Sequence, residues 1–144
     1  MHPTGTRLAT LALATAFAAT SLIANVPAAE AASPCPGTRV GKYQLYAGGE
    51  VADHMRHGYI EVWYSSARGG TNCVLVYDNA AGRHRMTVQA GISGKASRSD
   101  SGRYYTYAGP ITFSGTDRTC ISLYAEVING GTSYRRAMNR VHCG

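Results

Sequence analysis

The chain has 144 residues with 14 Lys and Arg against 8 Asp and Glu, a formal net charge of +6 and a pI near 9.4. Such a balance suits anionic walls or polysaccharide, but the cations are scattered (Arg39, Arg56, Arg68, Arg83, Arg98, Arg118) and only Arg135, Arg136 and Arg140 lie close together. No basic stripe marks specific nucleic-acid binding, and the length fits one domain with a modest core.

Residues 1–31 carry the three parts of an export signal. Arg7 supplies the positive end, Leu8–Val26 is uncharged and rich in Ala and Leu, and Pro27 precedes small residues at Ala29 and Ala31. Cleavage after Ala31 leaves residues 32–144 as one secreted domain with no membrane span. The leader removes one Arg and one Glu, so the mature charge stays at +6.

Beyond the leader, period-two alternation dominates. Tyr43–Tyr46 is the first expected strand. Glu50–His57 has room for one or two helical turns at most. Tyr59–Tyr64 and Cys73–Tyr77 are apolar on both faces, as central strands are, and Ala67–Gly70 turns between them. Asp78, Asn79 and Gly82 end the next strand. In Met86–Ile92 the even positions are apolar, and Arg103–Tyr107 follows. Ala108-Gly109-Pro110 predicts a tight reversal into Ile111–Phe113. Ile121, Leu123, Ala125 and Val127 alternate with Cys120, Ser122, Tyr124 and Glu126. Asn129-Gly130-Gly131 predicts a hairpin tip before Tyr134–Val141. The expectation is an all-β domain, a small antiparallel sandwich or barrel of about eight strands. Asp100-x-Gly102-x-Tyr104 resembles the tyrosine-corner signature that precedes the penultimate strand of immunoglobulin-type sandwiches.

Cys35, Cys73, Cys120 and Cys143 allow three pairings. Their spacing fits no zinc site, and an exported chain with an even count favours two disulfides. Pairing each cysteine with its nearest partner in sequence gives Cys35–Cys73 and Cys120–Cys143.

Several segments are similar in order and spacing to small secreted proteins of filamentous actinobacteria, the spore-associated protein A family. They are Gly58-x-Ile-x-Val-x-Tyr64, Thr71-Asn-Cys-Val-Leu-Val76, Asp100-Ser-Gly-x-Tyr-x-x-Tyr-Ala-Gly-Pro110, Cys120-Ile121 and His142-Cys143-Gly144. The resemblance implies an exported protein of spores or aerial structures with no known enzymatic activity, and it brings no catalytic or ligand residues.

The chemistry of the remaining residues is sparse. His54 and His57, with Asp53 or Glu50, fall short of a metal site without a third firm ligand, so no metal or other cofactor is expected. There is no Gly-x-Ser-x-Gly elbow, Walker loop or His-Glu-x-x-His. A secreted hydrolase would have to draw on Glu61 with His84 or His142. Cys73-x-x-Val-Tyr-Asp78 resembles the reactive loop of the subtilisin-inhibitor family but lacks its flanking prolines, and Val74–Tyr77 reads as a buried strand. Ten tyrosines dominate the aromatic content. Tyr105, Tyr107 and Tyr124 are the expected binding face, a ladder for wall or spore-surface polymer. The expected function is therefore non-catalytic surface attachment; a protease inhibitor or small hydrolase is the alternative, and the oligomeric state stays open.

Overall fold

The computed structural model describes residues 33–47 and 57–144. Residues 1–32, which include the expected export signal, and Glu50, Asp53 and His54 of the segment weighed for metal binding lie outside the described residues. His57, which lies within them, stacks on Tyr134 with ring centroids 4.1 Å apart.

Eight strands form two four-stranded antiparallel sheets, with no helix among the described residues. They are β1 (Thr38–Gln44), β2 (Tyr59–Ser65), β3 (Thr71–Tyr77), β4 (His84–Ile92), β5 (Arg98–Tyr104), β6 (Tyr107–Ser114), β7 (Ile121–Asn129) and β8 (Thr132–Val141). Sheet A has the order β1-β2-β3-β6 and sheet B the order β5-β4-β7-β8. The chain passes from A to B at β3–β4 and again at β6–β7. Two crossing connections thus interlock β3 with β6 in one sheet and β4 with β7 in the other.

The alternation read from the sequence decides which faces meet. Ile60, Val62, Val74 and Val76 of sheet A face Met86, Val88, Ala90, Ile121, Leu123, Ala125 and Val127 of sheet B in one buried core. Burying each Val, Leu, Ile or Met side chain among them stabilises the fold by about 1.5–3 kcal/mol. The central strands β2 and β3 are buried on both faces, because Cys35, Cys73 and Leu75 form a second small cluster with Trp63, Tyr77 and Tyr107 outside sheet A.

Both disulfides form with the nearest-neighbour pairing, Cys35–Cys73 and Cys120–Cys143, and no cysteine is free. The first ties the segment before β1 onto the outside of β3. The second ties the residues after β8 to the start of β7. Two formed disulfides belong to an oxidising or extracellular setting. No helix among the described residues is long and apolar enough to cross a membrane.

Three expectations need correction. The reversal is not at Ala108-Gly109-Pro110 but at Tyr105–Thr106, between β5 and β6. Gly109 and Pro110 lie inside β6, where Val74 pairs Ile111 and Val76 pairs Ala108, so both stand in a bulge opposite Leu75. Gly109 has φ +100°, and β6 edges its sheet, the place where a strand tolerates proline. The first strand also starts earlier than Tyr43, at Thr38, with Val40 as an extra residue bulged out between Arg39 and Gly41. Finally, the Asp100–Tyr104 segment is no tyrosine corner. It is an edge strand, β5, followed by three more strands, and the Tyr104 hydroxyl donates to Asp100 within it.

The two open sides of the sandwich are closed by polar groups rather than by a continuous ladder. On one side Tyr46 and Arg135 exchange backbone hydrogen bonds at 3.1 and 2.8 Å, and Arg136 Nη1 reaches the Gln44 carbonyl at 3.2 Å and the Tyr46 hydroxyl at 2.7 Å. On the other, Asp100 accepts the Gly109 amide at 2.8 Å and Arg98 donates to the Thr112 carbonyl at 2.9 Å.

Candidate binding face

The three tyrosines expected to form one face are separated by the fold. Tyr105 sits in the β5–β6 turn, 69% exposed, with the Arg83 guanidinium 5.5 Å from its ring centre. Tyr107 opens β6 in sheet A, and Tyr124 is in β7 of sheet B. The turn at Tyr105–Thr106 breaks the expected strand between Tyr105 and Tyr107, so no ladder joins them.

A different tyrosine row exists. Tyr59, Tyr77 and Tyr107 are direct cross-strand partners on the outside of sheet A. The Tyr59 and Tyr77 rings stack with centroids 5.0 Å apart at 17°, Tyr107 follows at 5.7 Å, and Lys42 Nζ lies over the Tyr59 ring, 4.0 Å from its centre. The ring faces are thus taken up by one another and by the lysine. Burial, followed by the Glu61 charge, pushes the Tyr59 and Tyr77 phenols above their ordinary range. Each ring of this row thus meets another ring of the row across sheet A.

Beside the row, Glu61 is only 4% exposed although it is on the outer face of β2. It accepts Arg39 Nη1 at 2.8 Å and Trp63 Nε1 at 3.0 Å. The two histidines weighed with it as acid–base partners are elsewhere. His84 pairs with the buried Asp78 carboxylate in the β3–β4 connection, and His142 Nε2 lies 2.8 Å from the Tyr43 hydroxyl. Glu61 and these histidines are not brought into one pocket. Val74–Val76 is buried within β3 between β2 and β6, so the inhibitor-like segment does not protrude. Among the described residues no three His, Cys, Asp or Glu side chains converge as a metal site.

The outer face of sheet B is open and polar. Register aligns Ser101, Thr87, Glu126 and Arg135 across the four strands, then Ser99, Gln89, Tyr124 and Ala137 in the next row. Arg103 and Arg85 pair directly at one margin. Within this face lies a shallow cleft of about 200 Å³ between β4, β7 and β8, lined by Gln89, Ser97, Ser122, Tyr124, Ala137 and Asn139. Its polar groups are held in place: Gln89 Nε2 donates to Ser97 Oγ at 2.5 Å, and Ser122 Oγ bonds Ser93 Oγ at 2.8 Å.

Tyr124 is the one aromatic of this cleft. Its neighbours in register are Gln89 on β4 and the small Ala137 on β8. Among the described residues its ring stacks on no other ring and meets no cation. Partial burial and then the Glu126 charge raise its phenol, with Arg135 opposing, so it stays a protonated donor. A half-buried ring beside amides and hydroxyls can pack on a sugar while they hydrogen-bond its hydroxyls. Sequence alternation placed Tyr124 outward; only the register, which is not written in any one strand, supplied its neighbours.

Comparison with protein-family models, with curated proteins and with solved structures finds no match to this chain.

Proposed function

We propose that this is an exported, non-catalytic surface protein of the spore-associated type, which attaches to wall or spore polymer through the outer face of sheet B. The observation that carries this reading is the contrast between the two outer faces. Sheet A is sealed by the Cys35 segment and by tyrosines stacked on each other. Sheet B presents Tyr124, stacked on no other ring, in a cleft lined with it by Gln89, Ser97, Ser122 and Asn139.

Arg85 and Arg103, both exposed, stand opposite each other at the margin of that face. Like charges in direct register destabilise a strand pair unless something lies between or over them. An anionic group on a hydroxyl-rich polymer would relieve that repulsion and be held by charge-assisted bonds. The leader-like residues 1–31, the paired cysteines and the net charge of +6 fit delivery to such a surface.

The test is co-sedimentation of the purified mature protein with isolated cell-wall material and intact spores across a salt series. The reading expects saturable binding that weakens as salt screens the arginines yet leaves a residual, salt-resistant part due to Tyr124. No sedimentation at any salt concentration would refute it and return the inhibitor and hydrolase readings to the front.

A further inference from the structure

The β4–β5 corner of sheet B gathers cations that no carboxylate answers. Arg83 stands just before β4 and Arg85 within it, and Arg103 on β5 is the direct partner of Arg85. Met86 and Val88 of β4 face the core, so alternation puts Arg85 on the outer face. All three arginines are exposed. Among the described residues none of them meets a carboxylate within ion-pair distance.

Two of the guanidiniums are held in place. Arg83 Nη2 donates to the Arg103 carbonyl at 3.0 Å, and Arg103 Nη2 donates to the Arg83 carbonyl at 3.2 Å. These crossed bonds keep two like charges close together across the strand pair, and they leave the other N–H groups of each fork for a ligand. The Tyr105 ring, 69% exposed in the turn after β5, has its centre 5.5 Å from the Arg83 guanidinium, within cation–π range. Like charges on partnered strands repel, and an external anion would offset them. Because the crossed bonds already restrain both side chains, that anion binds with a smaller loss of rotamer entropy.

We propose that this corner binds a phosphate monoester. The proposal rests on the attachment reading above and names its ligand: the polymer carries phosphate groups rather than uronic acids. A uronate offers one charge and two oxygens, which a single guanidinium fork already satisfies. A phosphate monoester carries about two charges and three acceptor oxygens. It can therefore engage Arg83, Arg85 and Arg103 together, while the Tyr105 ring packs on the carbon frame beside it.

The test titrates the mature, disulfide-intact protein with glucose 6-phosphate at neutral pH and constant ionic strength, following the arginine Nε–H signals by NMR. Glucuronate and glucose 6-sulfate are the controls, the first with a planar carboxylate and the second with three oxygens but a single charge. The proposal expects a saturable shift at Arg83, Arg85 and Arg103 with the phosphate, and affinities at least about tenfold weaker for both controls. The Arg83→Lys/Arg103→Lys protein keeps the charge but loses the forks, and should bind about tenfold more weakly. Arg118→Lys, outside the corner, should bind like the parent. No saturable shift, an equal response to either control, or a double Lys variant that binds as well as the parent would overturn the proposal. Wall material treated with phosphatase separates it from the attachment reading. Sedimentation that falls after treatment supports both, and sedimentation unchanged by treatment overturns the phosphate assignment while attachment stands. A protein that binds glucose 6-phosphate but no wall material keeps the phosphate site and refutes attachment.

Discussion

Tyr104 lies back over Gly102 to donate its hydroxyl to Asp100 Oδ1 at 2.5 Å, and the same carboxylate accepts the Gly109 amide of β6 at 2.8 Å through Oδ2. Asp100 thereby joins the edge of sheet B to the edge of sheet A. Replacing it with Ala leaves the Gly109 N–H and the Tyr104 hydroxyl without acceptors, and should cost about 2–3 kcal/mol. Gly102→Ala should reach a similar loss by another route, since a Cβ there would lie 2.8 Å from the Tyr104 hydroxyl oxygen and displace the ring. Urea denaturation midpoints measure both; parent-like midpoints would show that the edges are held by other contacts.

Glu61 gives a prediction that separates structure from catalysis. Removing its carboxylate strands the Trp63 indole N–H inside the outer cluster of sheet A, whereas the half-exposed Arg39 contributes little. Glu61→Ala should therefore cost about 1–3 kcal/mol, and Glu61→Gln, which keeps an acceptor for Trp63, should recover most of that. Denaturant unfolding of the pair decides it. An Ala variant as stable as the parent would mean that the carboxylate is free for another task.

Reduction tests the stapling. The disulfides span sequence separations of 38 and 23 residues, and chain entropy assigns about 3–4 kcal/mol to each. The Cys35→Ser/Cys73→Ser pair should cost more than Cys120→Ser/Cys143→Ser, because it also frees the segment that covers Leu75 and Trp63. Thermal melts of the two double variants and of the reduced parent measure this. An unchanged Tm after full reduction would contradict the account.

His142 makes stability depend on pH with a definite sign. Burial depresses its folded pKa below 6.5, so the unfolded chain takes up the proton first as pH falls. Its contribution is fully present above about pH 6.5 and is lost as pH drops through the lower folded value. The Tyr43 hydroxyl shares a hydrogen bond with Nε2 at 2.8 Å, which couples β1 to this titration. His142→Gln should flatten the slope of stability against pH between about 6.5 and 5. Melts across that range check it, and a slope identical to the parent's would assign the effect to other groups.

The strands were legible where one face is buried and the other is wet. Met86, Val88 and Ala90, and Ile121 through Val127, alternate without interruption, and each falls in the core. The cysteine pairing followed sequence proximity because each cysteine's nearest partner also lies near it in the fold. What stayed hidden depends on two strands at once. The bulge at Gly109–Pro110 looks like a turn locally and is set by pairing with β3. The burial of Glu61 depends on the segment that Cys35 brings across sheet A. Asn72 follows the alternation into the interior, yet only the loop bearing Thr116 reveals the partner it has and the one it lacks.

The most direct test compares Tyr124→Ala with Tyr107→Ala in co-sedimentation with isolated wall material at moderate salt. Both were expected binding residues, but one lines the open cleft of sheet B and the other is packed against Tyr77 on sheet A. The account predicts that loss of Tyr124 weakens binding by about tenfold, as removal of one stacking aromatic does elsewhere, while Tyr107→Ala binds like the parent once its lower stability is allowed for. Retained binding by Tyr124→Ala, or loss confined to Tyr107→Ala, would contradict it and move attachment away from sheet B.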